Sequence, residues 1–157
     1  MSKIKLLFMD VDGTMTDGRI YMGPSGEAMK AFSVKDGYGI ANILPAYGIV
    51  PVIITGRSSE IVARRAEELG IKELHQGVSD KLAKLKEIAA AYGASPEQTA
   101  YIGDDENDAP CMEYCGCTAA PADAHKSAVE KADHVCSAKG GEGAVREFIE
   151  MIVKGCL

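Results

Sequence analysis

The sequence predicts an α/β fold in which a parallel sheet is covered by helices on both faces. Three observations carry that expectation. Short apolar runs alternate with stretches of helical periodicity along the chain; several of these runs end abruptly in polar, glycine-containing loops; and the alternation is completed within 157 residues. A chain of this length makes one domain able to bury about 70% of its unfolded surface. Apolar residues are 46% and charged residues 25%, with six prolines and no low-complexity tract, so a single-domain globule spanning 1–157 is expected. The net charge of −6 without a basic cluster argues against nucleic acid or an anionic membrane as partner. The first apolar stretch runs straight into Asp10, too short for a signal peptide or a membrane span, and a cytoplasmic location follows as an expectation.

The elements read in order as follows. Leu6-Leu7-Phe8-Met9 is a buried strand that stops at Asp10-Val11-Asp12-Gly13-Thr14. Arg19 to Met22 and Ala28 to Phe32, joined by Gly23-Pro24-Ser25-Gly26, read as a β-hairpin over about 18–32, a flap beside the acidic loop. Asp36-Gly37-Tyr38-Gly39 leads into a helix ending near Tyr47-Gly48, and Val50 to Ile54 is the second buried strand, ending in Thr55-Gly56-Arg57. Ser58 is the expected N-cap of a helix carrying Ile61, Val62, Ala66 and Leu69 and stopped by Gly70. A short strand near Glu73-Leu74-His75 precedes Gly77-Val78-Ser79-Asp80-Lys81 and a helix burying Leu82, Leu85, Ile88 and Ala89. Ser95-Pro96-Glu97-Gln98 has the form of a capping box. The strand Thr99 to Ile102 then ends in a second acidic loop, Gly103-Asp104-Asp105-Glu106-Asn107-Asp108, followed by a helix opened by Pro110. Two short strands near Cys117 to Ala119 and His134 to Cys136 flank a helix over His125 to Lys131. The chain closes on a helix with Val145, Phe148, Ile149 and Ile152 at helical spacing. The whole is Rossmann-like, without an insertion long enough for a cap domain.

Two carboxylates two residues apart at a strand end repel, and are tolerated if a cation sits between them or one keeps its proton. Both remedies suit phosphate chemistry: a divalent metal neutralises phosphate oxygens, one carboxylate attacks phosphorus and the other moves a proton. A plain surface turn is the alternative, since D-x-D-G is turn-like; a calcium loop would need a downstream Glu and further ligands that are missing. Four strand ends carry polar groups: Asp10 and Asp12, Thr55, Lys81, and Asp104 with Asp105. In a parallel crossover fold these ends share one edge. Asp10, the Asp12 carbonyl and Asp104 can then hold Mg²⁺, and Thr55 and Lys81 the phosphoryl oxygens, while the Asp12 side chain shuttles protons. Five cysteines, at 111, 115, 117, 136 and 156, do not make a disulfide framework. Cys111, Cys115 and Cys117 could in principle hold a soft metal, but no paired C-x-x-C supports it, and they read as small buried side chains.

The order D-x-D-G-T, T-G, K and G-D-D-x-x-D, each behind its own apolar strand, resembles the haloacid dehalogenase superfamily of aspartate-nucleophile phosphatases over nearly the whole chain. Within it the likeness points to the small, capless 3-deoxy-D-manno-octulosonate 8-phosphate phosphatases. It rests on DVDGTMTDGRIYM (10–22), KAFSVKDGYGI (30–40), IITGR (53–57), GVSDK (77–81), AYIGDDENDAPCM (100–112), PADAH (121–125) and GGEGAVREF (140–148). The resemblance implies Asp10 as nucleophile through an aspartyl-phosphate, Asp12 as general acid and base, and Thr55 and Lys81 on the phosphoryl group. It also implies Mg²⁺ held by Asp10, Asp12 and Asp104 with Asp105 or Asp108 beside them. Ser33, Val34, Lys35, Asp36, Gly37, Arg57 and Arg65, together with Asp12 and Lys81, would contact a small phosphorylated sugar acid of lipopolysaccharide precursor synthesis, whose carboxylate suits arginine. It implies a homotetramer in which a neighbouring subunit helps close the site, and the glycines at 140–143 would let the C-terminal end reach the site's mouth. Ala41 stands where many relatives are basic, and the tail after Gly155 is short. The related nonulosonate 9-phosphate phosphatases carry Glu where Arg57 stands, so Arg57 favours the octulosonate. A phospho-acceptor receiver domain would place an acceptor Asp before Thr55, which is not found; a non-catalytic regulatory domain of this fold is the remaining alternative.

Overall fold

The structure, a computed structural model, describes residues 4–155; Cys156 and the tail beyond Gly155 lie outside them. Six parallel strands form one sheet in the order β5-β4-β1-β6-β7-β8, with β1 (Leu6–Met9), β4 (Val50–Ile54), β5 (Glu73–His75), β6 (Thr99–Ile102), β7 (Cys117–Ala120) and β8 (His134–Val135). β2 (Tyr21–Gly23) and β3 (Gly26–Met29) pair antiparallel outside it. The apolar runs occupy the centre because a parallel strand is covered on both faces: β1 and β6 are buried at every residue. Alternation of side chains then divides the core in two. Leu7, Met9, Ile53 and Ile102 face one layer with Ile40, Leu44, Val62 and Phe148; Leu6, Phe8, Val52 and Tyr101 face the other with Leu85, Ile88, Cys111 and Met112.

The helices are α1 (Val34–Tyr38), α2 (Leu44–Ala46), α3 (Glu60–Glu68), α4 (Lys81–Ala91), α5 (Ala109–Tyr114), α6 (Lys126–Val129) and α7 (Ala144–Lys154). Four local expectations are corrected. The helix expected from Asp36 starts earlier, capped by the Ser33 hydroxyl accepting from the Asp36 N–H, and a π-helical turn over Gly39–Ile43 interrupts it. Pro45, which lacks an N–H and crowds the preceding turn, lies just beyond that widening. Ser59 rather than Ser58 caps α3, accepting from the Val62 N–H. Leu82 is only half-buried, because Lys81 takes its place on the inner stripe with Leu85, Ile88 and Ala89. The hairpin strands are shorter than expected, and Lys30 leaves the ladder to reach the acidic loop.

Gly140 and Gly141 pack against the loop that follows Asp10; the C-terminal end expected to reach the site's mouth lies outside the described residues. Gly141 N–H donates to the Thr14 carbonyl at 3.1 Å, and a Cβ on Gly140 would overlap the Gly13 carbonyl. Gly140→Ala is therefore expected to cost about 1–3 kcal/mol, since backbone rather than a yielding side chain must move; urea unfolding checks this, and unchanged stability would contradict the packing.

Candidate active site

Every strand of the sheet ends at one edge, and the chain reverses direction about β1, with β4 on one side and β6 on the other. A ligand crevice belongs at such a point. Asp10 follows β1 directly, its N–H still bonded to the Ile102 carbonyl at 3.1 Å, as Thr55 follows β4 with its N–H on the His75 carbonyl at 3.0 Å. The loop after Asp10 is built on Val11, whose side chain is buried and whose carbonyl accepts from the N–H groups of Thr14, Met15 and Thr16. Gly13 has φ +91°, and a side chain there would overlap the Asp104 carboxylate; Gly103 likewise leaves room for Asp108. Glycine is needed at 13 for both reasons: the left-handed backbone and the approach of a carboxylate from β6.

Lys81, at the start of α4 and 4% exposed, donates to Asp10 Oδ1 at 2.7 Å and to Asp108 Oδ1 at 2.8 Å. Asp108 also accepts from Tyr101 Oη at 2.6 Å and from the N–H groups of Asp104 and Asp105 at 2.9 and 3.2 Å. Thr14 Oγ1 donates to Asp104 Oδ1 at 3.3 Å. Burial, reinforced by the charge of Asp108 and countered by Lys81, pushes the Asp10 carboxyl up; burial and the charge of Asp10 push Asp104 up. Burial works against the Lys81 charge, but Asp10 and Asp108 hold its pKa above the ordinary range. Tyr101 is likewise raised by burial and Asp108.

Carboxylate oxygens of Asp10, Asp104 and Asp108 all come within 4.8 Å of one another. Three carboxylates crowded together, with one ammonium shared by Asp10 and Asp108, form a set that a divalent cation such as Mg²⁺ would relieve, so the residues present fit one. Asp108, with four donors already on its oxygens, serves as a fixed brace for Lys81 and the Asp104 backbone; Asp10 and Asp104 are the carboxylates with capacity left for a cation.

Asp12 is held apart from this trio. Its Oδ1 pairs with the ammonium of Lys30, and Arg57 Nε lies 3.8 Å from its Oδ2. Lys30 also pairs with Glu27 at 3.3 Å, Arg57 Nη2 lies 3.5 Å from Glu27, and Glu27 accepts from the Ser59 hydroxyl. Arg57 is half exposed, so its ion pairs are weak and it is available to a ligand. Glu27, Lys30, Ser59 and Tyr101 went unnoticed in the sequence as site residues. A Tyr one residue before the end of a central strand that leads into an acidic loop was the available signal for Tyr101; the hairpin residues had none, because their register over the loop is a tertiary matter.

The remaining candidates gather elsewhere within one chain. Arg65 Nη2 donates to the Ser33 carbonyl at 3.4 Å, Arg65 lies over the Phe32 ring, pairs with Glu68, and packs against Gly37. Val34 and Lys35 are exposed. Asp36 is buried, and its Oδ1 accepts from the Arg146 N–H at 2.9 Å in the first turn of α7. Ser33–Gly37 and Arg65 thus bind one another and α7, and join the acidic loop through Lys30.

Asp36 Oδ2 has no hydrogen-bond partner, and burial pushes the carboxyl up to about 6 from 3.8. Between those values the folded chain holds a proton that the unfolded chain has released, so this group makes stability fall as pH rises through that window. Asp36→Asn is expected to exceed wild-type stability at pH 8 by about 1–3 kcal/mol and to lose the advantage below pH 4. Urea unfolding at the two pH values reads the difference.

Cys111, Cys115, Cys117 and Cys136 are free and buried, and burial pushes each thiol up to about 12. Cys111 and Cys115 pack on one face of the sheet and Cys117 on the other, as the small apolar side chains expected. A second group of ligand-type side chains, His134, Cys136 and Glu147, is already spent. Glu147 accepts from His134 and from the N–H groups of Ser137 and Ala138, and the Cys136 thiol donates to the Ala144 carbonyl. No helix among the described residues is long and apolar enough to cross a membrane.

A parallel α/β sheet with Asp10, Thr55, Lys81 and Asp104 at one edge defines a hydrolase of the haloacid dehalogenase class, and the model of the haloacid dehalogenase-like hydrolases matches residues 73–149. The chain is 49% identical over 152 residues to the 3-deoxy-D-manno-octulosonate 8-phosphate phosphatase KdsC of Yersinia pestis, covering 97% of this chain and 81% of that one. Two solved structures align with TM-scores of 0.93 at 41% identity. One is the cobalt-bound deoxy-D-mannose-octulosonate 8-phosphate phosphatase of Haemophilus influenzae, covering 97% of this chain and 88% of that one. The other is the Moraxella catarrhalis phosphatase in complex with magnesium, phosphate and KDO, covering 98% and 87%. The chain belongs to the 3-deoxy-D-manno-octulosonate 8-phosphate phosphatase family, whose members are phosphoric monoester hydrolases.

Proposed function

We propose that the protein hydrolyses 3-deoxy-D-manno-octulosonate 8-phosphate to the free sugar acid and phosphate, through an aspartyl-phosphate on Asp10 and with Mg²⁺. The observation that carries this reading is the division of labour within Asp10-Val11-Asp12: Asp10 is fixed by Lys81 among the carboxylates that suit a cation, and Asp12 is held away from them by Lys30 and Arg57. Asp10, Asp104 and the Asp12 carbonyl would hold Mg²⁺, which when bound neutralises carboxylate and phosphoryl oxygens. Lys81 engages Asp10 Oδ1 and orients the carboxylate for attack on phosphorus. Asp12 gives its proton to the departing sugar oxygen and afterwards takes one from the water that attacks the aspartyl-phosphate. Thr55 and Lys81 bind phosphoryl oxygens, and Arg57, half exposed at the mouth, meets the polar end of the sugar acid. Ser33, Val34, Lys35, Asp36, Gly37 and Arg65 enter this reading as the sugar-acid side of the site.

The same resemblance supports a cytoplasmic homotetramer. Exposed apolar side chains on and after the hairpin, Tyr21, Met22, Met29, Val34 and Tyr38, offer a surface for a second copy, and light scattering reads the mass. The test of function is phosphate release from the octulosonate 8-phosphate and from a nonulosonate 9-phosphate, with Mg²⁺ and with excess chelator. Higher kcat/KM on the octulosonate, lost on chelation and restored by Mg²⁺, is expected. Preference for the nine-carbon substrate would move the assignment to the sister enzymes, and activity indifferent to chelation would remove the metal.

A further inference from the structure

We propose that Lys30, carried on the β2–β3 hairpin, is a positioning residue for Asp12, so that the hairpin sets the leaving-group side of the reaction; this rests on the reading of Asp12 as the group that protonates the departing oxygen. The two carboxylates of the acidic loop are served by different cations. Asp10 has Lys81, from the sheet edge, whereas Asp12 has Lys30, from an element outside the sheet. The Lys30 side chain is fully buried and lies between two carboxylates, Asp12 and Glu27. Ordering a long flexible side chain and stripping its ammonium of water is costly, and the cost is met only in a geometry that satisfies it closely.

That geometry is anchored to rigid structure at both ends. Glu27 accepts from the hydroxyl of Ser59, and Ser59 is itself the N-cap of α3, accepting from the Val62 N–H. Arg57 spans the same two carboxylates, at 3.8 Å from Asp12 and 3.5 Å from Glu27. A continuous set of polar contacts therefore runs from the start of α3 through Ser59, Glu27 and Lys30 to Asp12. With Lys30 on Oδ1, the orientation of Asp12 is fixed and Oδ2 is the oxygen turned to Arg57 and the mouth. The effect is one of place: a proton donor must lie within hydrogen-bond reach of the oxygen it serves, and small displacements are costly in rate.

The step concerned is balanced within the proposed reaction. An Asp10 oxygen bonds to phosphorus as the bond from phosphorus to the sugar oxygen breaks, and that oxygen takes the proton of Asp12. Water then attacks phosphorus, the Asp10 bond to phosphorus breaks, and the water proton returns to Asp12.

The experiment compares kcat/KM on two substrates in wild type, Lys30→Met and Lys30→Arg, all with saturating Mg²⁺. The sugar-acid phosphate has a poor leaving group that needs the proton, and p-nitrophenyl phosphate has a good one that does not. Lys30→Met is expected to lose at least about 10-fold on the sugar-acid phosphate and under about 3-fold on p-nitrophenyl phosphate, with Lys30→Arg recovering most of the loss. Glu27→Gln, which loosens the anchor but keeps the Lys30 to Asp12 pair, is expected to show the same asymmetry at smaller size and serves if Lys30→Met fails to fold. Equal losses on both substrates, or none, overturn the inference while leaving the function standing. A wild type inactive on sugar-acid phosphates overturns the functional reading itself.

Discussion

Asp10→Asn is expected to abolish phosphate release, with a loss of at least about 10³-fold in kcat, while the protein stays folded. An amide of the same shape cannot supply the attacking oxygen, and removal of a covalent nucleophile is among the most damaging single changes an enzyme can suffer. The fold has no reason to suffer. Asp10 stands among Asp104 and Asp108, burial and like charge push its carboxyl up, and Lys81 keeps Asp108 as a partner when Asp10 is neutral. The melting temperature of the metal-free variant is expected to equal or exceed that of wild type, because one buried negative charge is gone. Steady-state phosphate release and a thermal melt on the same preparation decide the matter; a variant retaining more than about a hundredth of wild-type turnover would exclude Asp10 as nucleophile.

Lys81→Met is expected to behave in the opposite way, losing stability as well as activity. Lys81 is buried and is the ammonium shared by Asp10 and Asp108. Removing it leaves two desolvated carboxylates facing each other and Asp104, and breaking a buried pair by deleting one partner typically costs about 3–5 kcal/mol. Methionine fills much of the volume, so the loss isolates charge from packing. Chemical denaturation of metal-free protein reads it, and Mg²⁺ is expected to stabilise the variant more than wild type, because a cation at the carboxylates replaces part of what was lost. A variant as stable as wild type would mean that the three carboxylates do not depend on Lys81.

The two variants together separate the roles that a single charged cluster merges. Asp10→Asn lightens the negative charge and leaves the protein intact but inert; Lys81→Met lightens the positive charge and weakens both. Tyr101 and Asp108 sit beneath this balance. The Tyr101 hydroxyl and two backbone N–H groups hold Asp108 in place, and Asp108 in turn holds Lys81, so the position of the ammonium is fixed from the core side of the sheet.

Much of this was legible in the chain because its physics is local. The runs Leu6–Met9, Val50–Ile54 and Thr99–Ile102 are strands with the expected bounds, since a continuous apolar run bounded by turn residues leaves little choice. The capping box at Ser95 and the helix opened at Ala109 with Pro110 in its first turn are likewise as read. Where two neighbours offered the same chemistry, the sequence could not choose. Ser58 and Ser59 are equivalent as caps until one of them receives the Val62 N–H. Lys81 and Leu82 compete for one inner position, and the lysine wins because two carboxylates wait there.

The sequence by itself determined that carboxylates, a threonine and a lysine stand behind apolar strands, and parallel crossovers then bring strand ends to one edge whatever the details of packing. Tertiary structure alone decided how the charges are shared: Lys81 bridging Asp10 to Asp108, Lys30 crossing from the hairpin to Asp12, and Asp36 turned to the first turn of α7. The physical reason is range. Hydrophobic periodicity and capping act over a few residues and are written in neighbours, whereas an ion pair depends on which distant elements meet and on how much water their meeting excludes.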